Sequence, residues 1–125
     1  MSTSLMTSDD QCISIHPYFR VPPERDDAVM KLCEQFVDRS SREPLCLYYG
    51  FTKSEQTLHC REGYRGAAGV IAHLDNVGDL LQEIMELCEL FKLEVHGESD
   101  ELEKLKPLLK DFSVEYFEFK TGFRN

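Results

Sequence analysis

Apolar positions along the chain switch between two spacings, and the switches divide it into elements. Residues 12–21 (Cys-Ile-Ser-Ile-His-Pro-Tyr-Phe-Arg-Val) are rich in β-branched and aromatic side chains and read as a first strand. Pro17 lacks the N–H that a ladder needs, so it demands an edge, a bulge or the strand's end. Pro22 and Pro23 stop the strand, and Pro23 suits a first helical turn. Glu24, Asp26 and Asp27 follow where the positive end of a helix favours acids. Ala28, Val29, Leu32, Cys33, Phe36 and Val37 then recur at helical spacing, predicting an amphipathic helix to about Arg39. A polar run closed by Pro44 breaks it.

Residues 45–52 are nearly all apolar or aromatic, 53–56 form a polar turn and 57–64 read as a third strand, so the pair predicts a hairpin. Gly63, Gly66 and Gly69 mark the passage into a second helical region. Val70, Ile71, Leu74, Val77, Leu81, Ile84, Met85 and Cys88 hold one face there, with Asp79, Glu83 and Glu86 opposite. Gly78 lies within this run and Asp75 or Asn76 can cap a fresh helix, so the pattern predicts a kink or two helices. Residues 91–96 predict a fourth strand, 100–110 a short helix with Leu102, Leu105 and Leu109 inward, and 112–119 a last strand.

The order is β-α-β-β-α-β, then α-β. The first six elements are a ferredoxin-like split βαβ arrangement, an α+β fold with an antiparallel sheet and helices on one face; the C-terminal αβ is added to it. Residues 45–51 are apolar at both parities, and the last strand puts Phe112, Val114 and Tyr116 on one side, Phe117 and Phe119 on the other. Helices cover one face only, so the other calls for a second copy of the sheet: a homodimer with its sheets face to face is expected. Residues 1–11 read as a disordered leader, 12–120 as a single domain and 121–125 as a tail.

Composition narrows the function classes. A chain of 125 residues suits one domain, and its 14 Lys and Arg against 23 Asp and Glu give a net charge of −9. That argues against nucleic acid and anionic membrane as partners, since phosphate contacts need clustered cations. The imbalance sits between Asp75 and Glu118, with 13 acids against four Lys, and reads as an acidic solvent face. No run approaches the roughly 18 apolar residues of a membrane span. Five cysteines without a C-x-x-C pair fall mostly among apolar neighbours, as reduced core residues of a cytoplasmic protein do.

The candidate chemistry is sparse. Gly63, Gly66 and Gly69 lack the spacing and the Lys-Ser/Thr of a phosphate loop, so a tight strand-to-helix turn explains them better. His16, His59, His73 and His96 show none of the spacings that organise a zinc site, and no nucleophile elbow is present. Strand residues that can converge on a pocket are His16, Tyr18, Tyr48 or Tyr49, His59, Arg61 or Glu62, and Tyr64. His73 stands apart from these, on the helix beside the apolar stripe, where a half-buried imidazole can accept a proton near neutral pH. A core-edge histidine bonded to a carbonyl is the structural alternative.

Glu43-Pro44-Leu45-Cys46-Leu47-Tyr48-Tyr49, then Arg61-Glu62-Gly63-Tyr64, then Ala72-His73-Leu74 resemble the antibiotic biosynthesis monooxygenase family, which includes quinol monooxygenases. The resemblance runs in element order from Ile15 to Phe119, and departs at Leu45, where a Gly is usual, and at Tyr64, where many members carry Trp. It implies a dimeric α+β barrel that oxidises an electron-rich aromatic or quinol with O₂ and no cofactor. Under it His73 is the base, Tyr64 and Tyr49 are donors or stacking partners, Arg61 is an anion contact and His16 a further substrate contact. Two alternatives stay open: a non-catalytic dimer binding a small apolar ligand, and a haem-binding relative with His73 or His96 as axial ligand.

Overall fold

Ile13, Ile15, Phe19 and Val21 take every inward position of the first strand but one, and the one is Pro17. The computed structural model of the chain describes residues 10–125, so the expected leader lies largely outside the described residues. The first strand, β1, spans Cys12–Arg20 and is followed by a 3-10 turn at Pro23–Arg25 and helix α1 at Asp26–Ser40. Strands β2 (Cys46–Ser54) and β3 (Thr57–Arg65) form the hairpin, α2 spans Gly66–Leu87 and β4 spans Glu89–Gly97. Helix α3 (Ser99–Leu105) and strand β5 (Glu115–Glu118) complete the chain.

The sheet runs β2-β3-β1-β4-β5, which is the ferredoxin-like order with one strand added at the edge. The first four strands pair antiparallel, whereas β5 joins β4 in parallel, because α3 carries the chain back across the sheet before it pairs. Pro17 lies in a central strand and is accommodated by irregular pairing. Neither His16 nor Pro17 is paired with β3, and the register against β4 shifts between Tyr18 and Phe19. His59 Nδ1–H donates to the Pro17 carbonyl at 2.9 Å, so the oxygen left over by the interrupted ladder is satisfied.

Three expectations give way. Helix α2 is continuous through Gly78, so the expected kink or division is absent. Asn76 does not cap a new helix; its side chain crosses to Glu43 and to the Arg39 carbonyl. The short C-terminal helix stops at Leu105, five residues before the predicted end. Pro107 has no N–H for the next helical bond, and the chain continues in turns to Phe112. The strand after it is correspondingly shorter than predicted. At the chain ends, Arg124 pairs with Asp10 at 2.8 Å, and the same Asp10 oxygen accepts the Cys12 N–H at 3.0 Å.

The helices cover one face of the sheet and enclose two apolar clusters. One centres on Phe19, Leu32, Phe36, Leu80 and Ile84, the other on Ile13, Tyr64, Val70, Val95 and Leu105. The β3-to-α2 junction is tight, as the three glycines predict. Gly66 takes a φ of +70°, which L side chains rarely adopt, and Glu101 of α3 accepts the next amide, Ala67 N–H, at 2.8 Å. A Cβ at Gly69 would lie 2.9 Å from the Tyr64 Cβ and 3.0 Å from the Leu45 carbonyl oxygen. That closeness holds the first turns of α2 against β3. Among the described residues, no helix is long and apolar enough to cross a membrane.

Candidate active site

Positions 58, 60, 62 and 64 of β3 face the helices by strand alternation, and three of them are apolar or aromatic: Leu58, Cys60 and Tyr64. The fourth is Glu62, a carboxyl group only 6% exposed. Across the layer, the apolar stripe of α2 carries one imidazole, His73, 4% exposed. The two meet at the edge of an apolar cavity of about 120 Å³ between helices and sheet, lined otherwise by residues such as Ile15, Phe36, Tyr49, Leu74 and Leu93.

His73 is held by Glu43, the last polar residue before Pro44 and β2. Its Nδ1 lies 2.9 Å from Glu43 Oε2, and the Glu43 side chain is itself almost wholly buried. A carboxylate oxygen can only accept from a neutral imidazole, so Nδ1 carries the proton and Nε2 presents its lone pair. Nε2 is 3.7 Å from Glu62 Oε1. Asn76 Nδ2 donates to Glu43 Oε2 at 2.7 Å and to the Arg39 carbonyl at 3.3 Å, fixing the carboxylate from the far side. Arg39 ties the end of α1 to α2 in return, through the Asn76 carbonyl at 3.0 Å and the Asp79 carboxylate at 2.6 Å.

The electrostatics follow from burial. Loss of solvent raises the Glu62 pKa to about 7, against the pull of hydrogen bonds from Tyr64 and Cys60 and with help from the charge of Glu43. Burial lowers the His73 pKa below its ordinary 6.5, with Glu43 opposing through its hydrogen bond and charge. Near neutral pH the pair therefore shares its proton on the carboxyl side: His73 neutral, Glu62 half-protonated or more. Tyr64 O–H donates to Glu62 Oε1, so Oε2 is the oxygen left to carry the acid proton. A base and an acid thus stand side by side in a dry, apolar pocket.

Of the residues expected to converge, the fold brings together His73, Tyr49 and, through Glu62, Tyr64. The Tyr49 ring lies 5.3 Å from that of His73, and the Tyr64 ring 5.0 Å from it. Tyr64 is fully buried and does not itself line the cavity. His16 and Arg61 do not join them, because even positions of β1 and odd positions of β3 point to the face away from the helices. His16 instead sits in a row of rings there, 4.5 Å from His96 and 5.9 Å from His59. Between Arg61 and Glu62, parity with Cys60 and Tyr64 selects the acid. Glu43 and Asn76 were visible only as a motif start and a cap-type residue; their meeting with His73 needs the tertiary fold.

A haem does not fit this site. Both ring nitrogens of His73 face carboxylates, the cavity is far smaller than a macrocycle, and His96 lies on the opposite sheet face. Among the described residues, no group of three or more His, Cys, Asp and Glu is disposed to hold a metal ion.

No family model matches the chain, and no curated protein does. Solved structures do. MupZ from Pseudomonas fluorescens superposes with a TM-score of 0.87 at 36% identity, over 92% of this chain and 95% of that one. A candidate antibiotic biosynthesis monooxygenase from Nitrosomonas europaea matches with a TM-score of 0.65 at 14% identity, over 73% of this chain and 93% of that one. A further structure named as an antibiotic biosynthesis monooxygenase gives 0.59 at 20% identity, over 66% and 92%. The last two share the fold; the first shares fold and sequence along nearly the whole of both chains. The chain belongs to the same family as MupZ, and its fold is that of the antibiotic-biosynthesis-monooxygenase-like proteins.

Proposed function

We propose that the chain is a proton-transfer enzyme acting on a largely apolar small molecule, with His73 as base and Glu62 as acid. One observation carries this reading: two buried ionisable groups, His73 Nε2 and Glu62 Oε1, stand 3.7 Å apart at an apolar cavity. Glu43 orients the imidazole and Asn76 orients Glu43, so both are positioning residues. Tyr64 fixes the carboxyl of Glu62. The dry surroundings strengthen each of these contacts and keep solvent protons from short-circuiting the transfer.

The likeness to monooxygenases suggests how such a transfer is used. Removing a proton from an aromatic hydroxyl raises electron density on the ring, and a ring carbon can then form a C–O bond with O₂. The hydroperoxide loses water, one oxygen atom staying as a carbonyl and the other leaving, with the substrate supplying the electron pair for each step. The acid beside the base favours a second reading, a redox-neutral transfer in which Glu62 protonates one atom as His73 deprotonates another. Oxygen uptake with alkyl-substituted hydroquinones, on metal-free protein, separates the two. Uptake that His73→Gln abolishes supports the oxygenase. Anaerobic solvent-deuterium incorporation that His73→Gln abolishes supports the redox-neutral form. Neither activity above the uncatalysed background overturns the proposal.

The uncovered sheet face supports a homodimer. Tyr18, His59, His16, His96 and Phe117 stack in contact across β3, β1, β4 and β5, with centroid separations from 4.3 to 5.9 Å. Phe91 extends the row at 38% exposed. A second copy, presenting the same aromatic face, is the occupant proposed for it.

A further inference from the structure

The cavity has a direction. His73 and Met85, both on its wall, are twelve residues apart on α2, about 18 Å at a helical rise of roughly 1.5 Å per residue. The His73 end is buried, whereas Met85 and Phe112 at the other end are 41% and 43% exposed, so the mouth lies there, far from the acid and base. The cavity's volume of about 120 Å³ is drawn out along most of α2. Such a space is narrow. It admits a flexible chain end-on and has no room for a fused ring system lying flat.

Its chemistry is equally selective. The groups on its wall that carry polar atoms are Glu62, His73, the Tyr49 hydroxyl and the Cys60 thiol, and no Lys or Arg lines it. A carboxylate or phosphate carried to the buried end would meet Glu62 and Glu43 without a cation to offset them. Taking the acid–base reading above as its basis, we infer that the substrate carries an unbranched, uncharged aliphatic chain. It is threaded past Met85 and Phe112 and ends in, or carries, an oxygen function delivered to His73 and Glu62. Leu81 lies between the two ends, on the wall, and is the residue a longer chain must pass.

Calorimetric titration of the purified protein with butanol, hexanol, octanol and decanol tests this without turnover. Affinity is expected to tighten about fourfold per added methylene, the roughly 0.8 kcal/mol of one buried CH₂, across the series. Decanoate should bind at least tenfold more weakly than decanol. Leu81→Trp, which narrows the way in from the mouth, should weaken every alcohol and abolish the gain from hexanol to decanol. If Leu81→Trp fails to fold, the alcohol series and the decanoate comparison on the native chain decide alone. A flat response to chain length, or an anthracene diol binding more tightly than decanol, overturns the inference. Failure of the acid–base reading looks different: the chain-length series holds, and His73→Gln leaves every turnover unchanged.

Discussion

His73 Nε2 and Glu62 Oε1 face each other at 3.7 Å, each almost wholly buried, one on α2 and the other on β3. Together they couple the stability of the fold to the protonation state that the proposed proton transfer needs, and the coupling sets the first two predictions.

Activity should follow a narrow bell in pH. Turnover needs His73 neutral and Glu62 protonated. The acid limb therefore falls below pH 6.5, since burial lowers the His73 pKa, and the alkaline limb lies near pH 7, where Glu62 loses its proton. The limbs belong to the coupled pair rather than to either residue singly. Glu62→Gln should remove the alkaline limb and lower kcat. Glu43→Gln, acting through the imidazole, should shift the acid limb while His73→Gln lowers kcat by roughly a hundred- to ten-thousandfold. A pH–rate profile of Glu62→Gln with its alkaline limb intact would contradict the assignment.

Stability should respond to pH in the opposite sense for the two groups. The folded pKa of Glu62, about 7, lies above its ordinary 4.5. Below pH 4.5 both states hold the proton and burial costs nothing; between 4.5 and 7 the unfolded state releases it first, so stability falls as pH rises. Above pH 7 the full penalty applies, about 3 kcal/mol at 1.36 kcal/mol per unit. His73 works the other way: with its folded pKa lowered, stability falls as pH drops below 6.5. Glu62→Gln, an isostere that keeps the acceptor for Tyr64, should therefore raise stability at pH 9 by up to about 3 kcal/mol and change little at pH 4. Urea denaturation at the two pH values reads the difference.

The two carboxylates also show what the sequence makes legible. The order of elements, the hairpin and the glycine junction follow from local pattern, because each is set by neighbours within a few residues. Glu62 is half legible: the sequence leaves Arg61 or Glu62 open, and alternation with Cys60 and Tyr64, both inward in β3, selects the acid. Glu43 is not. Thirty residues separate it from His73, and the contact forms only where α2 lies beside the turn that precedes β2. The continuity of α2 was hidden for a similar reason. Gly78 and Asn76 read locally as breakers, but Asn76 finds its partners on Arg39 and Glu43, outside its own helix.

Two glycines of α2 should respond in opposite ways to the same change. A Cβ at Gly78 meets nothing within 4 Å, so Gly78→Ala should stabilise the protein by about 0.5–1 kcal/mol through helix propensity. A Cβ at Gly69 meets the Leu45 carbonyl at 3.0 Å and the Tyr64 Cβ at 2.9 Å, both fixed by the sheet. Gly69→Ala should cost roughly 1–3 kcal/mol and push α2 away from β3, moving His73 from Glu62 and lowering kcat. Thermal melts of the two variants, run together, check the signs.

Assembly gives the last prediction. The ring row on the open sheet face contains His16, whose pKa burial lowers, followed in effect by the charges of His96 and His59 and opposed by Glu94. A second copy laid on this face would remove more water from the same imidazole, so association should favour its neutral form. Sedimentation at pH 8 is expected to give a species of twice 14.5 kDa at micromolar concentration, and dissociation should set in as the solution is taken below pH 6.5. The sign is that of any lowered histidine: the dissociated state binds the proton first, so acid draws the equilibrium toward it. Phe117→Asp places a charge beside His96 in the middle of the row, 4.5 Å ring to ring, and should yield a folded monomer with unchanged far-ultraviolet circular dichroism. The core face is untouched by this change, because Phe117 is 37% exposed and points away from the helices. A native chain that sediments as a 14.5 kDa monomer at pH 8 would mean that this aromatic face stays wet, and the homodimer would have to be abandoned.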